Sequence, residues 1–71
     1  MQQIRFPLNG DFIELFKLLK ILNISSTGGE AKIMIDQGLI KVNDKVDTRK
    51  RAKIKPGDIV IAGDTQIYVE P

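Results

Sequence analysis

Between Lys41 and Lys55 the chain carries seven basic side chains, Lys41, Lys45, Arg49, Lys50, Arg51, Lys53 and Lys55, against two acidic ones, Asp44 and Asp47. That segment is net +5 in a chain of net charge +2, so the remainder is acidic. Cations at this density do phosphate chemistry. An Arg guanidinium grips two phosphate oxygens at once, whereas Lys acts as a point charge, which makes Arg49 and Arg51 the better anchors and Lys50 and Lys53 their supplements. A polyanion is therefore the leading partner, and a plain solvated surface that keeps the chain soluble is the alternative reading of the same run. A second feature lies upstream, in Thr27-Gly28-Gly29-Glu30. Glycines opening a helix leave its backbone N–H groups open to a phosphate, and Lys32 would extend the patch toward them. The glycine pair is equally ordinary at a sharp turn between two helices.

The missing residue types narrow the chemistry further. The 71-residue chain contains no Cys and no His, so disulfides, thiolate nucleophiles, imidazole bases and the usual zinc ligands are absent. Glu14 and Asp36 are isolated carboxylates without a partner acid. A chain this short leaves little room for a catalytic cavity beside its core. The expectation is a non-enzymatic protein without cofactor, metal or small-molecule substrate. No apolar run approaches the ~20 residues of a membrane span, and the opening MQQIRFPLNG lacks a leader pattern, which predicts a cytoplasmic protein without a membrane partner.

The elements that must position these residues follow from hydrophobic period and punctuation. Gln2 to Phe6 alternates as a short strand, ended by Pro7 and Asn9-Gly10. Phe12, Leu15, Phe16, Leu19 and Leu22 recur at helical spacing and predict a first helix over 12–22, with Asp11 as N-cap and Glu14 three residues on. On this reading Phe12 and Phe16 belong to the core and not to a base-stacking platform, and Lys17 and Lys20 point to solvent. Thr27 and Glu30 form a capping box for a second helix, Ala31, Met34 and Ile35 its apolar stripe, and Gly38 its left-handed C-terminal cap. Ile40 and Val42 start a hairpin that turns at Asn43-Asp44 and returns at Val46. The run from Thr48 to Lys53 reads as an exposed loop, a polar segment without core periodicity. Pro56-Gly57 and Gly63-Asp64 set off strands over 58–62 and 65–69. The fold class is α+β: two short helices packed on a small, mainly antiparallel sheet with an N-terminal strand, in one domain spanning 1–71.

Thr27-Gly28-Gly29-Glu30-Ala31, Ile35, Gly38, Ile40, Val42-Asn43 and Lys55-Pro56-Gly57-Asp58 together resemble the S-four domain, the αL RNA-binding motif named after ribosomal small-subunit protein four. The resemblance runs from about Phe12 to Ile61 and is most specific in G-x-I-x-V-N and K-P-G-D. It implies an L-shaped surface, built from two helices and a hairpin, that docks on structured RNA, commonly ribosomal or transfer RNA. The stand-alone bacterial members are binding proteins, which implies a monomer associated with RNA or the ribosome. The residues so implicated are Thr27, Gly28, Gly29, Lys32, Lys41, Asn43, Arg49, Lys50, Arg51 and Lys53. Two positions depart from the pattern. Gly28 stands where an Arg is usual, removing one phosphate contact, and Asp44 replaces the Gly after Asn, which predicts a different turn type with the register kept. The alternative function is a ribosome-associated or protein-interaction adaptor whose basic surface meets an acidic protein.

Overall fold

Leu15, Leu18 and Leu19, then Ala31 and Ile35, give two helices one apolar face each, and alternating apolar residues in the later strands give a sheet one face to match. The computed structural model, which describes residues 2–71, joins these faces into a single core. The elements are β1 (Gln2–Pro7), β2 (Ile13–Glu14), α1 (Leu15–Ile21), α2 (Gly28–Asp36), β3 (Ile40–Val42), β4 (Lys45–Val46), β5 (Lys53–Ile54), β6 (Ile59–Ala62) and β7 (Thr65–Glu70). Five strands form one sheet in the order β1-β7-β6-β3-β4, while β2 and β5 form a separate two-stranded ladder. All neighbours are antiparallel except β1 and β7. This is the expected α+β fold, N-terminal strand included. Pro7 extends that strand where termination was expected, because an edge strand tolerates a residue without N–H. Leu15, Leu18, Leu19, Ile35, Ile40, Val60 and Ile67 are wholly shielded from solvent, each such burial stabilising the fold by about 1.5–3 kcal/mol. No helix among the described residues is long and apolar enough to cross a membrane.

The first helix is shorter than its periodicity predicts. It begins at Leu15, and Glu14 occupies the N-cap position without a side-chain capping hydrogen bond. The cause is tertiary. Ile13 and Glu14 are drawn into extended pairing with Ile54 and Lys53, and main-chain carbonyls cap the helix: Leu15 N–H donates to Ala52 O at 2.9 Å and Phe16 N–H to Lys50 O at 3.1 Å. Asp11 therefore caps nothing. Phe12 leaves the apolar face and is 44% exposed, a correction to its expected place in the core, whereas Phe16 stays half-buried against it.

The second helix keeps its predicted signals. Thr27 Oγ1 accepts from Glu30 N–H at 3.1 Å, and the Glu30 carboxylate accepts from Ser26 N–H at 3.2 Å, one residue further back than the simplest capping box. At its other end Gly38, at φ +75°, donates to Ile35 O at 3.0 Å while Leu39 N–H donates to Met34 O at 3.2 Å, which closes a Schellman cap.

The hairpin turn corrects a second expectation. Asn43 and Asp44 have φ of +51° and +70°, the double positive φ of a type I′ turn, so Asp44 takes the left-handed conformation instead of changing the turn type. Asn43 explains how this is held. Its side-chain N–H donates to Asp58 Oδ1 at 3.0 Å, its Oδ1 accepts from Ile59 N–H at 3.0 Å, and Asp58 Oδ2 accepts from Lys55 N–H at 2.8 Å. The V-N and K-P-G-D segments are thus two halves of one clamp between the hairpin turn and the loop entering β6.

Two outcomes follow. Gly38→Val lowers stability by about 1 kcal/mol or more, from strain at positive φ, since a Cβ there would meet only Val46 Cγ1 at an ordinary 3.6 Å; an unchanged melting temperature would contradict it. Asn43→Ala and Asp58→Ala each destabilise in urea melts, and the double variant costs less than their sum because both break one clamp. Strict additivity would mean the two side chains act independently.

Candidate nucleic-acid interface

Contrary to the sequence reading, the basic segment has a core period. Ala52 and Ile54 are 5% and 1% exposed and alternate with exposed Arg51, Lys53 and Lys55. Residues 48–52 are irregular, as expected of a loop, but Lys53, expected in the same loop, opens β5, and the two buried residues act as pegs. Strand alternation then throws the cations of the same parity outward on one side. Arg49, Arg51, Lys53 and Lys55 border one groove around Ala52.

Arg49 is held by Asp47 in a bidentate fork, with Nε to Oδ1 at 3.0 Å and Nη2 to Oδ2 at 2.8 Å, and the Arg49 main-chain N–H also reaches Oδ1 at 2.9 Å. The hydrogen bond from the guanidinium, outweighing burial, holds the Asp47 carboxyl below its usual range, and the same bond raises Arg49. The guanidinium remains exposed with its other donors facing solvent, oriented but half neutralised.

Phe16 gathers the next group. Lys32 Nζ lies 4.7 Å from its ring centroid, Lys17 Nζ 5.9 Å and the Arg51 guanidinium carbon 6.0 Å, so α2, α1 and the basic loop each bring a cation to one aromatic ring. Glu14 ties two of them: Oε1 is 3.1 Å from Lys17 Nζ and Oε2 is 3.9 Å from Arg51 Nη1. Lys53 Nζ stands 5.0 Å from the ring centroid of Phe12. Phe12, Ile13, Glu14, Lys17, Arg51 and Lys53 line a second cleft, and Phe16, Lys17, Lys20, Ile21 and Gly28 a third. Shared residues link the three grooves into a row running from Lys55 to Gly28.

Of the residues singled out in the sequence, Gly28, Lys32, Arg49, Arg51 and Lys53 fall on or beside this row. Lys50 is exposed at the loop turn, its carbonyl committed to α1. Thr27 Oγ1 serves the α2 cap, while the N–H groups of Gly28 and Gly29 have no hydrogen-bond partner among the described residues. Neither glycine has a positive φ, and a Cβ would meet nothing closer than Phe16 at 3.7 Å or Thr27 Oγ1 at 3.8 Å. The turn therefore does not require them. Lys41 lies elsewhere: its neighbours Ile40 and Val42 face the core side of β3, so it points from the opposite sheet face. Asn43 sits in the clamp. Phe12, Phe16, Lys17 and Lys20 belong to the row although the sequence reading assigned them to core or solvent, and Lys55, counted in the basic run, stands at its far end. Among the described residues no His, Cys, Asp and Glu group could hold a metal.

Comparison with known proteins agrees with this geometry. Residues 6–70 match the S4 domain family. The chain is 48% identical over 48 residues to YbcJ of Escherichia coli, covering 68% of this chain and 69% of that one. It is 32% identical over 53 residues to RlbA of Bacillus subtilis, named a probable ribosome maturation protein, covering 75% of each. The solution structure of YbcJ, described as revealing an αL motif involved in RNA binding, superposes with a TM-score of 0.75 at 36% identity, over all of this chain and 91% of that one.

The Arg49–Asp47 fork has a pH signature. Because the folded carboxyl titrates below its unfolded value of about 3.9, the pair's stabilisation is complete above that value and is lost as pH falls through the lowered one. Carboxyl NMR titration should give Asp47 a midpoint below the ordinary range that Arg49→Ala restores. An ordinary midpoint in the parent protein would mean that the fork does not persist in solution.

Proposed function

The chain belongs to the S4 domain family, and from that premise we propose that it binds structured RNA, ribosomal or transfer RNA, as a docking module without a catalytic step. The observation that carries this reading is the row of cations that Ala52 and Ile54 turn outward and that Phe16 and Glu14 join to the two helices. In this reading Arg49, Lys50, Arg51, Lys53 and Lys32 hold phosphates. The open N–H groups of Gly28 and Gly29, set by the Thr27 cap, take one more at the α2 N-terminus. Lys41 adds charge from a distance, and Asn43 acts by fixing the hairpin. YbcJ's described motif and RlbA's name support RNA and a ribosomal setting, and in this reading the protein works in the cytoplasm. A monomer suffices, since the row lies on one chain.

Arg49→Ala combined with Arg51→Ala removes most binding to a structured ribosomal RNA fragment in gel shifts while circular dichroism stays native. Lys41→Ala, on the other sheet face, does far less; equal losses would mean diffuse attraction. With roughly four to six phosphates neutralised, log affinity falls against log salt with a slope of about −3 to −5. A stem-loop RNA is preferred several-fold over the same sequence as DNA, because a preformed surface reads A-form geometry. A complex from lysate that survives ribonuclease would point instead to an acidic protein partner.

A further inference from the structure

The cleft beside Phe12 has a composition that phosphate binding does not account for. Ile13 packs toward the core, so strand alternation sends Phe12 and Glu14 to the opposite face, the ring exposed and the carboxylate partly covered. Lys53, directly opposite Glu14 in the β2–β5 ladder, joins them on that face. The result is an exposed flat ring, a carboxylate and flanking cations around one opening of about 520 Å³, within the range of ligand clefts, ~300–1,000 Å³. A surface built only for phosphates would not place a carboxylate in its middle, where it repels them. Glu14 is instead an acceptor held in place, with Lys17 on one oxygen and Arg51 near the other, and each oxygen keeps lone pairs for further donors.

Resting on the RNA-binding reading, we propose that this cleft receives one unpaired nucleobase, stacked on Phe12 and hydrogen-bonded along its pairing edge to Glu14. Guanine is the common base that fits, because it alone offers a ring N–H and an adjacent amino group, two parallel donors for one carboxylate. Adenine, cytosine and uracil each present a ring nitrogen or carbonyl acceptor there that the carboxylate would repel. The Lys53 ammonium, now over the Phe12 ring, moves to the phosphate flanking the base and exchanges a weak exposed cation–π contact for a charge-assisted one. Phosphate contacts along the row then supply affinity, and this cleft supplies a preference for duplex ends, bulges or loops that release a guanosine.

The test uses a stem-loop RNA carrying a single bulged guanosine, with otherwise identical versions in which that nucleotide is abasic, inosine or paired. The protein binds the bulged guanosine about 5-fold or more tightly than the abasic or paired form, and inosine, lacking the amino group, falls between. Phe12→Ala brings all four RNAs to the affinity of the paired form without weakening that form, and Phe12→Tyr retains the preference. Glu14→Gln abolishes the discrimination against inosine and lowers affinity for the bulged guanosine, while the paired form, which meets only the cations, binds no more weakly because a negative charge is removed. Equal binding of all four RNAs by the parent protein would overturn the nucleobase cleft and leave the docking reading standing. Binding to none of them would overturn both.

Discussion

Two main-chain hydrogen bonds, from the N–H groups of Leu15 and Phe16 to the carbonyls of Ala52 and Lys50, tie the start of the first helix to the basic loop. A helix this short is marginal alone, and its first N–H groups need partners. Here the partners come from the segment that carries the cations. The loop cannot drift without uncapping α1, and α1 cannot fray without releasing the loop. Ala52 and Ile54 in the core and the pairing of β5 with β2 reinforce the same tie. The shape of the charged surface is therefore a by-product of capping a helix, which is why a run that looks like a flexible basic tail is a fixed edge.

That dependence also decides what could be read in advance. The second helix was legible to within a residue because Thr27, Glu30 and Gly38 act locally, and β3, β4, β6 and β7 because Asn43-Asp44, Pro56-Gly57 and Gly63-Asp64 mark their ends, whereas β5 was read as loop. The first helix was not, because its true cap lies more than thirty residues away in the chain and no local pattern encodes it. Phe12 went to the core in the reading for the same reason: helical spacing placed it there, and only pairing with β5 pulls the chain off that helix. For the interface, the cationic residues were evident, but their common direction was hidden in the alternation of Arg51, Ala52, Lys53, Ile54 and Lys55, where one small apolar residue weakens the strand signal. Glu14, Lys17 and Lys20 gave no signal, since a helix surface with mixed charge is ordinary.

Charge on this face is balanced rather than maximal. Asp47 forks Arg49, and Glu14 holds Lys17 and stands near Arg51, so two of the strongest cations are orientated by carboxylates before any ligand arrives. Both carboxylates weaken the long-range field but fix where donors point, which favours a partner whose phosphates match those positions over one that merely carries charge. The clamp of Asn43 with Asp58 plays no part in this electrostatics; its contribution is the geometry of the hairpin beside it.

The parallel pairing of β1 with β7 joins residues such as Gln2 and Thr65 across nearly the whole sequence, whereas the packing of α1 on α2 and β2 and the pairing of β2 with β5 lie within positions 13–54. During synthesis β1 is thus made well before its neighbour, and the loop-closure entropy of that pairing is met only after β7 emerges. Closing the sheet therefore depends on the most distant pairing in the chain, while the pairings that shape the charged edge are local to its middle.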